Sequence, residues 1–590
     1  MVFPKRWGEG TPFVFSGLEG EARYTGQMIG TLLQNRRGIC FTCRSDNWTL
    51  YADVEKLAWD LVVCDQLTGH LAEPGMQTDE PDHSQDSDRV CSFGFYDAHT
   101  VIGRVPHGTL RCCKAGTETA FTAETMAAFT DTDGSWKDGD LAIEIRTVDD
   151  MDYFRMTYDK VAGDSTGQPL PEQVRELEVR HKAFYEGLAC PSFKNPEMEE
   201  TFYKACSVMK AGFYSPEEPF RQRWTTPDKT PHQTMFLWDS VFHSFGNRVF
   251  GTDIAKETIL SVLDTEYPDG FIPHMSAPDH HSEVTQPPLL AWGVWELYKR
   301  TGEKDWLISC YPRLSGYLDW NIKHRMSANG LFVWHVNRTS LECRCDESGM
   351  DNNPRFDTEA DLESIDFSCY MAHEAEMMAH IAELVQPQDT LKWQTLRDQL
   401  TARIRERLWD EADGLFYDRI APDGPLRKVK SMASLLPLWA GICTEKQADR
   451  LVSHIEDPAD FGTPMPVPSV AVSDPAYSKD MWRGPVWLNY DYMIIRGLQR
   501  YGRKALADQL IVRVLKEITR LYMEEGILYE FYDDQAKLSP SVLRRKRPLG
   551  FVEADEDKIP KVYPYVVIRD YGWTAAVYAA LAMENPELIG

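Results

Sequence analysis

A chain of 590 residues is too long for one small core, so two or more domains are expected. With 43% hydrophobic residues and a mean hydropathy of -0.42 it can bury a large interior and stay in water. It has neither a secretion-signal stretch near Met1 nor an apolar run of membrane length, which reads as a cytoplasmic protein without a membrane partner. A formal net charge of -28 excludes nucleic acid, whose phosphates need a basic face, and leaves a neutral or locally captured ligand.

Roughly the first 190 residues read as β. Stretches such as Gly38 to Cys43, Thr49 to Val54 and Leu141 to Arg146 are short, partly alternating and separated by Gly, Asp and Asn turns, which suggests a β-sandwich over 1–190. The acidic run Asp79 to Asp88 invites a calcium reading, but it lacks the Gly and terminal Glu of an EF-hand loop, and a solvated loop is the simpler account. The 13 cysteines, Cys112-Cys113 and Cys343-x-Cys345 among them, show no paired C-x-x-C spacing and read as reduced, mostly core thiols, with no metal centre.

After the Gly- and Pro-containing stretch Gly163 to Pro171 the periodicity changes from two to about three and a half. Apolar residues at i, i+3, i+4 and i+7 predict about twelve helices, over 196–213, 236–250, 252–266, 287–301, 305–324, 361–386, 389–410, 430–441, 445–455, 485–501, 503–524 and 571–584. The class is mainly α. Some connections are short and some long, which suits six αα-hairpins closed into a ring over 191–590, with the long loops at one end forming a pocket.

Those long connections hold polar clusters, and seven of the 17 Trp lie within or beside them: Trp238, Trp292, Trp295, Trp334, Trp482, Trp487 and Trp573. In Met235 to His243 a Trp and an Asp adjoin at a helix entry, where Trp238 can stack on a sugar ring and Asp239 can accept its hydroxyl hydrogens; as the plainer alternative, Asp239-Ser240 caps the helix. Tyr267 to His274 is a turn followed by an extended arm containing Phe271 and His274. His274, His280 and His281 lack metal spacing and read as hydrogen-bonding or surface groups. Gln286 stands just before a helix whose first turn suits proline. The loop Glu347 to Asp357 is too polar for core and too rich in turn formers to continue a helix. It is either a solvated acidic loop or the acid half of a sugar-cleaving site, with Asp351 as proton donor, its protonated form favoured by burial and neighbouring acids, and Arg355 facing the same pocket. In Asp480 to Tyr490, Gly484 permits close approach and Trp482, Trp487 and Asn489 offer stacking and hydrogen bonds. Finally, Tyr529 to Asp534 presents Glu530 among aromatic rings as a candidate general base.

The ordered set Phe-Leu-Trp-Asp-Ser-x-Phe-His, Gln-Pro-Pro, Glu-Ser-Gly-Met-Asp-Asn, Trp-Arg-Gly-Pro-Val-Trp-x-Asn-Tyr, Glu-x-Tyr and Tyr-Gly-Trp-Thr resembles glycoside hydrolase family 63 over roughly 195–585. That group includes processing α-glucosidases and hydrolases of mannosylglycerate and glucosylglycerate. The resemblance implies an (α/α)6 barrel and an inverting mechanism without a cofactor, with Asp351 as acid and Glu530 as base. It also implies that Trp238, Asp239, Gln286, Trp482, Gly484 and Trp487 line the subsite of the cleaved sugar, to which Phe271, His274, Arg355 and Trp573 are added as candidates. One departure is that Asp533-Asp534-Gln535 follows where relatives often have Pro and Thr-Gly after the base motif.

The expected function is an exo-acting inverting α-glycosidase, an α-glucosidase first, with a carbohydrate as its partner. Its two carboxyl groups should stand roughly 6.5–9.5 Å apart to admit a water. An inverting phosphorylase on the same barrel would lack the base, and a non-catalytic carbohydrate-binding protein would need neither acid nor base. The segment Asp533 to Tyr565, with its basic run Arg544-Arg545-Lys546-Arg547-Pro548, is either a lid able to hold an anionic leaving group or a surface loop balancing the acidic stretch Glu553 to Asp557.

Overall fold

The computed structural model describes all residues except 34–37, 44–45, 55–56, 72–89, 115–126, 129–132, 139, 159–167, 341, 548–560 and 590. The run Asp79 to Asp88 and the stretch Glu553 to Asp557 therefore lie outside the described residues. The chain forms two compact units, one of Met1–Glu217, Asp228–Gln233 and Thr519–Leu528, the other of Glu218–Pro227, Thr234–Ile518 and Tyr529–Gly590.

The first unit is built on two antiparallel sheets. One has six strands in the order Pro12–Val14, Ile29–Leu33, Gly38–Cys43, Asp46–Ala52, Leu110–Lys114, Ala127–Ala128. The other has seven, in the order Asp133–Asp138, Leu141–Val148, Met151–Tyr158, Thr100–Pro106, Val90–Asp97, Gln66–Leu71, Leu57–Val63. Side chains alternate across a strand, so in Leu141–Val148 the residues Leu141, Ile143 and Ile145 are buried while Arg146 is exposed. Ile143 pairs with Met156 and Ile145 with Phe154, which keeps the apolar set on one face. That face and its counterpart on the six-stranded sheet share one core, with Phe13, Ile39 and Leu50 on one side and Leu67, Phe93 and Phe154 on the other; the Phe13 and Phe95 rings meet at 5.0 Å.

A helix, α1 (Leu170–Glu186), stands where the sequence reading had β up to about 190 and no helix before 196. Its buried residues Leu170, Val174, Leu177, His181 and Tyr185 recur every three or four positions, and Leu170, Val174 and Leu177 pack on Ile102, Met151 and Tyr153 of the seven-stranded sheet. Then comes α2 (Pro196–Ala211), whose first turn is capped by the Asn195 side chain accepting from the Glu197 N–H at 2.8 Å.

The second unit is helical. Its helices are α3 (Leu237–Asn247), α4 (Thr252–Leu263), α5 (Leu290–Thr301), α6 (Lys304–Arg325), α7 (Ile365–Val385), α8 (Thr390–Arg407), α9 (Leu436–Trp439), α10 (Glu445–Glu456), α11 (Leu488–Arg500), α12 (Lys504–Glu525, which ends in the first unit) and α13 (Gly572–Glu584). The predicted helix over 430–441 is shorter, a 3-10 turn Met432–Leu435 leading into the single turn of α9. With two broad sheets ahead of these helices the chain is mixed α and β rather than mainly α.

Helix packing follows the apolar faces. α3 packs on α5, α5 on α7, α7 on α9, α9 on α11, α11 on α13 and α13 on α3. Two of them are buried nearly all round: all of α3 is out of water, as is α13 from Gly572 to Ala582. The polar clusters sit in the connections that lead into α3, α5, α7, α11 and α13, so successive members of this set bring them together. No helix among the described residues is long and apolar enough to cross a membrane, and the described cysteines are free thiols, most of them buried.

Candidate active site

Four tryptophans named from the sequence form one cluster. The Trp482 and Trp487 rings stack at 3.7 Å with 6° between their planes, and Trp573 meets Trp487 at 5.3 Å and Trp238 at 5.5 Å, both edge-on. All four are buried, packed ring against ring. The start of α3 is fixed from the next connection: the Trp238 N–H donates to Gln286 Oε1 at 3.1 Å, and the Tyr317 hydroxyl donates to the Gln286 carbonyl at 3.0 Å. Beside it the Tyr571 hydroxyl donates to Asp239 Oδ1 at 3.4 Å.

The loop carrying Asp351 is shaped by two short 3-10 turns, Asp346–Ser348 and Pro354–Phe356, with Gly349 between them at φ 71°. A Cβ on Gly349 would stand 2.3 Å from Trp238 Cζ2, so the turn and the tryptophan fit only around glycine. The two asparagines that follow zip this loop to the one ahead of α11. Asn352 donates to Asp480 Oδ1 at 2.9 Å and accepts from the Trp482 N–H at 3.0 Å, while Asn353 donates to the Trp482 carbonyl at 2.9 Å. Close approach there also needs Gly484, where a Cβ would lie 2.1 Å from the Ser478 carbonyl oxygen. Glu347, fully buried, ties the loop outward by accepting from Arg325 Nη2 at 2.7 Å and the Thr285 N–H at 3.3 Å.

Arg355 does not face a ligand. Its guanidinium is 1% exposed and lies between Asp418, at 3.0 Å from both oxygens, and Asp366, at 2.5 Å. It braces the loop from behind. Phe271 and His274 belong to a neighbouring arm: Phe271 packs on Trp320 at 5.0 Å and His274 lies edge-on to Phe236 at 5.6 Å.

The two candidate carboxylates are met by consecutive residues of the basic run. Arg545 grips Glu530 at two points, and its Nη1 also donates to the Pro564 carbonyl at 2.7 Å. Lys546 Nζ lies 2.7 Å from Asp351 Oδ2. Glu530 receives a further bond from the Ile568 N–H at 3.3 Å, and its carbonyl accepts from Trp573 Nε1 at 3.3 Å. Arg545 is 2% exposed, which overturns the surface-loop reading for this part of the run. The backbone here is pinned rather than loose: the Arg544 N–H donates to the Lys479 carbonyl and the Met481 N–H to the Arg544 carbonyl, each at 3.0 Å. Asp533, in the departure noted above, pairs with Lys479 at 2.5 Å, and Asp534 pairs with the same lysine.

These contacts invert one electrostatic expectation. Burial alone would raise the Asp351 carboxyl, but Lys546, with Arg545 behind it, outweighs burial and holds it below the usual carboxylate range. Asp346 nearby is raised, by burial and by the Asp351 charge. Neighbouring acids are legible in the sequence, and so is the basic run; that Lys546 of that run meets Asp351 is not.

A family profile, mannosylglycerate hydrolase MGH1-like glycoside hydrolase domain, matches residues 231–537, more than half of the chain. A Borreliella burgdorferi protein is 27% identical over 261 residues, 43% of this chain and 52% of its own length, so the alignment spans about half of that relative. The mannosylglycerate hydrolase of Thermus thermophilus is 24% identical over 397 residues, 53% of this chain and 92% of that one. Among solved structures, the family 63 mannosylglycerate hydrolase from Thermus thermophilus in complex with Tris superposes with a TM-score of 0.52 at 22% identity, over 64% of this chain and 99% of the other, which is a likeness of fold. The profile match carries the assignment: the chain belongs to the mannosylglycerate hydrolase MGH1-like glycoside hydrolases, within the family 63 group.

Proposed function

We propose that the protein is an exo-acting inverting α-glycosidase that releases one terminal sugar from a small glycoside, with Asp351 as general acid and Glu530 as general base. The observation that carries the reading is the pairing of Asp351 and Glu530 with Lys546 and Arg545. Successive Cα atoms lie about 3.8 Å apart, so neighbours in sequence tie two distant carboxylates to one wall. The closed order of helix contacts from α3 to α13 and back supports an (α/α)6 barrel over 191–590, and the two sheets around one core support a β-sandwich over 1–190.

In this reaction Asp351 gives its proton to the glycosidic oxygen as the bond to the anomeric carbon breaks, and the aglycone leaves as an alcohol. A water attacks the opposite face of the ring and loses a proton to Glu530, so the new hydroxyl has the inverted configuration. Phosphate attack would leave Glu530 without a task, and a binding module would need neither group. Glucose is the first candidate sugar, from the motif resemblance. Mannose is the second, because the Thermus relative is named as a mannosylglycerate hydrolase. The test is turnover of α-glucosides and α-mannosides by Asp351→Asn and Glu530→Gln. Each should lose roughly 100- to 10,000-fold in rate while remaining folded, as circular dichroism would show. Near wild-type turnover in either would remove that residue from its role.

A further inference from the structure

Lys546 lies outside the stretch matched by the family profile, which ends at residue 537, yet it touches the residue on which the proposed chemistry depends. Its position is built. The backbone on either side is fixed by the Arg544 bonds to Lys479 and Met481 and by the Arg547 N–H donating to Asp480 Oδ2 at 3.2 Å. Lys546 itself has φ 52°, in the left-handed region that favours glycine. Such strain is kept where the surroundings over-determine it, and functional sites are where it gathers. Arg545 is committed to Glu530 and Pro564, whereas Lys546 reaches Asp351 directly, with a side chain only 16% exposed.

An acid catalyst must carry its proton when the glycosidic oxygen arrives, and an ammonium at 2.7 Å favours the opposite state. We propose that Lys546 is the positioning residue that governs the protonation of Asp351: its ammonium competes with the catalytic proton for the same carboxylate oxygen, and this competition sets the alkaline limit of the reaction. The proposal rests on the reading of Asp351 as the acid. Among the described residues, the groups that face Asp351 are Lys546 and Arg545, which favour its charged form, Cys343, which hydrogen-bonds it, and Asp346, whose charge opposes its own. Lys546 is the closest cation and acts directly on the carboxylate, so removing it changes this balance most.

The experiment is the pH profile of kcat/KM for the full chain, for Lys546→Met and for Lys546→Arg, with Asp351→Asn alongside. Loss of a neighbouring opposite charge should move the alkaline limb of Lys546→Met upward by about 1–3 pH units, and Lys546→Arg should keep the wild-type limb. A merely structural lysine would lower the whole curve without moving its limb. An unmoved or lowered limb in Lys546→Met overturns the proposal. Should Lys546→Met fail to fold, Lys546→Gln is titrated in its place, with the same two outcomes. Asp351→Asn separates the two failures: near wild-type turnover in that variant sinks the acid assignment itself, whereas an inactive Asp351→Asn beside an unmoved limb sinks only the role of Lys546.

Discussion

Arg545 holds Glu530 in a two-point grip, Nε 2.8 Å from Oε2 and Nη2 3.1 Å from Oε1, with both side chains only 2% exposed. A buried pair of this kind is costly to break because the surviving charge is left without a partner in low dielectric. Arg545→Ala should destabilise the protein by roughly 3–5 kcal/mol. Arg545→Lys should recover only part of that, since an ammonium cannot reproduce the fork. Urea unfolding measures both, and a loss below 1 kcal/mol for Arg545→Ala would show that water reaches this pair.

Arg355 offers the corresponding test of a residue that sequence reading placed in the pocket. Wedged between Asp366 and Asp418, it should behave as a brace: Arg355→Met strands two buried carboxylates and should cost about 3–5 kcal/mol. Adding Asp418→Asn to that variant should restore part of the stability. A stable Arg355→Met protein with a raised KM would instead return Arg355 to the ligand.

Gly349 joins the acid loop to the tryptophan cluster. Gly349→Ala must place a Cβ at φ 71° and 2.3 Å from the Trp238 ring. The backbone alone costs roughly 1–2 kcal/mol, and relief of the clash has to displace either Asp351 or Trp238. The variant should melt lower and lose turnover together, as a thermal melt and initial rates would record; unchanged values for both would show that the loop re-forms freely.

The first unit carries its own pH dependence. Burial, and then the charge of Asp65, push the Glu19 carboxyl up to about 8, against the pull of Lys210 at 3.0 Å. Burial brings His181 down to about 4. A carboxyl with a raised folded pKa binds more protons folded than unfolded, so the Glu19 contribution is full below its ordinary value of 4.5 and is lost as pH rises toward 8. His181 runs the other way, contributing above 6.5 and losing that contribution as pH falls through about 4. Between pH 6.5 and 8 the Glu19 slope stands without the His181 one. The urea midpoint of the wild type should therefore fall across that window, where Glu374, which burial also pushes up to about 8, adds a slope of the same sign, and Glu19→Gln should make the fall shallower. A wild-type midpoint that rises from pH 6.5 to 8 would contradict this account.

Much of the second unit was legible because its helices repeat apolar residues at helical spacing: α5, α6 and α11 lie within a few residues of their predicted ends. α1 escaped because its apolar residues are sparse and follow a β region, and the face they make is completed only by Ile102, Met151 and Tyr153 of the sheet. At the site, residue types and motif order pointed to Asp351, Glu530 and the tryptophans. Charge partners were a different matter. Arg355 with Asp418, and Lys546 with Asp351, join positions far apart in the chain, and nothing in a local pattern says which cation will meet which acid. The turn formers Gly349 and Asn353 were recognisable as such, but the contacts that require them belong to other loops.

The central claim is a single displacement by water at an α-linked sugar, and proton NMR of the first-formed product tests it most directly. With an α-glycoside substrate and no added phosphate, the account predicts that the β-anomer of the free sugar appears first and the α-anomer only later, by mutarotation. Release of the α-anomer first, or turnover that requires phosphate and yields a sugar phosphate, would contradict it.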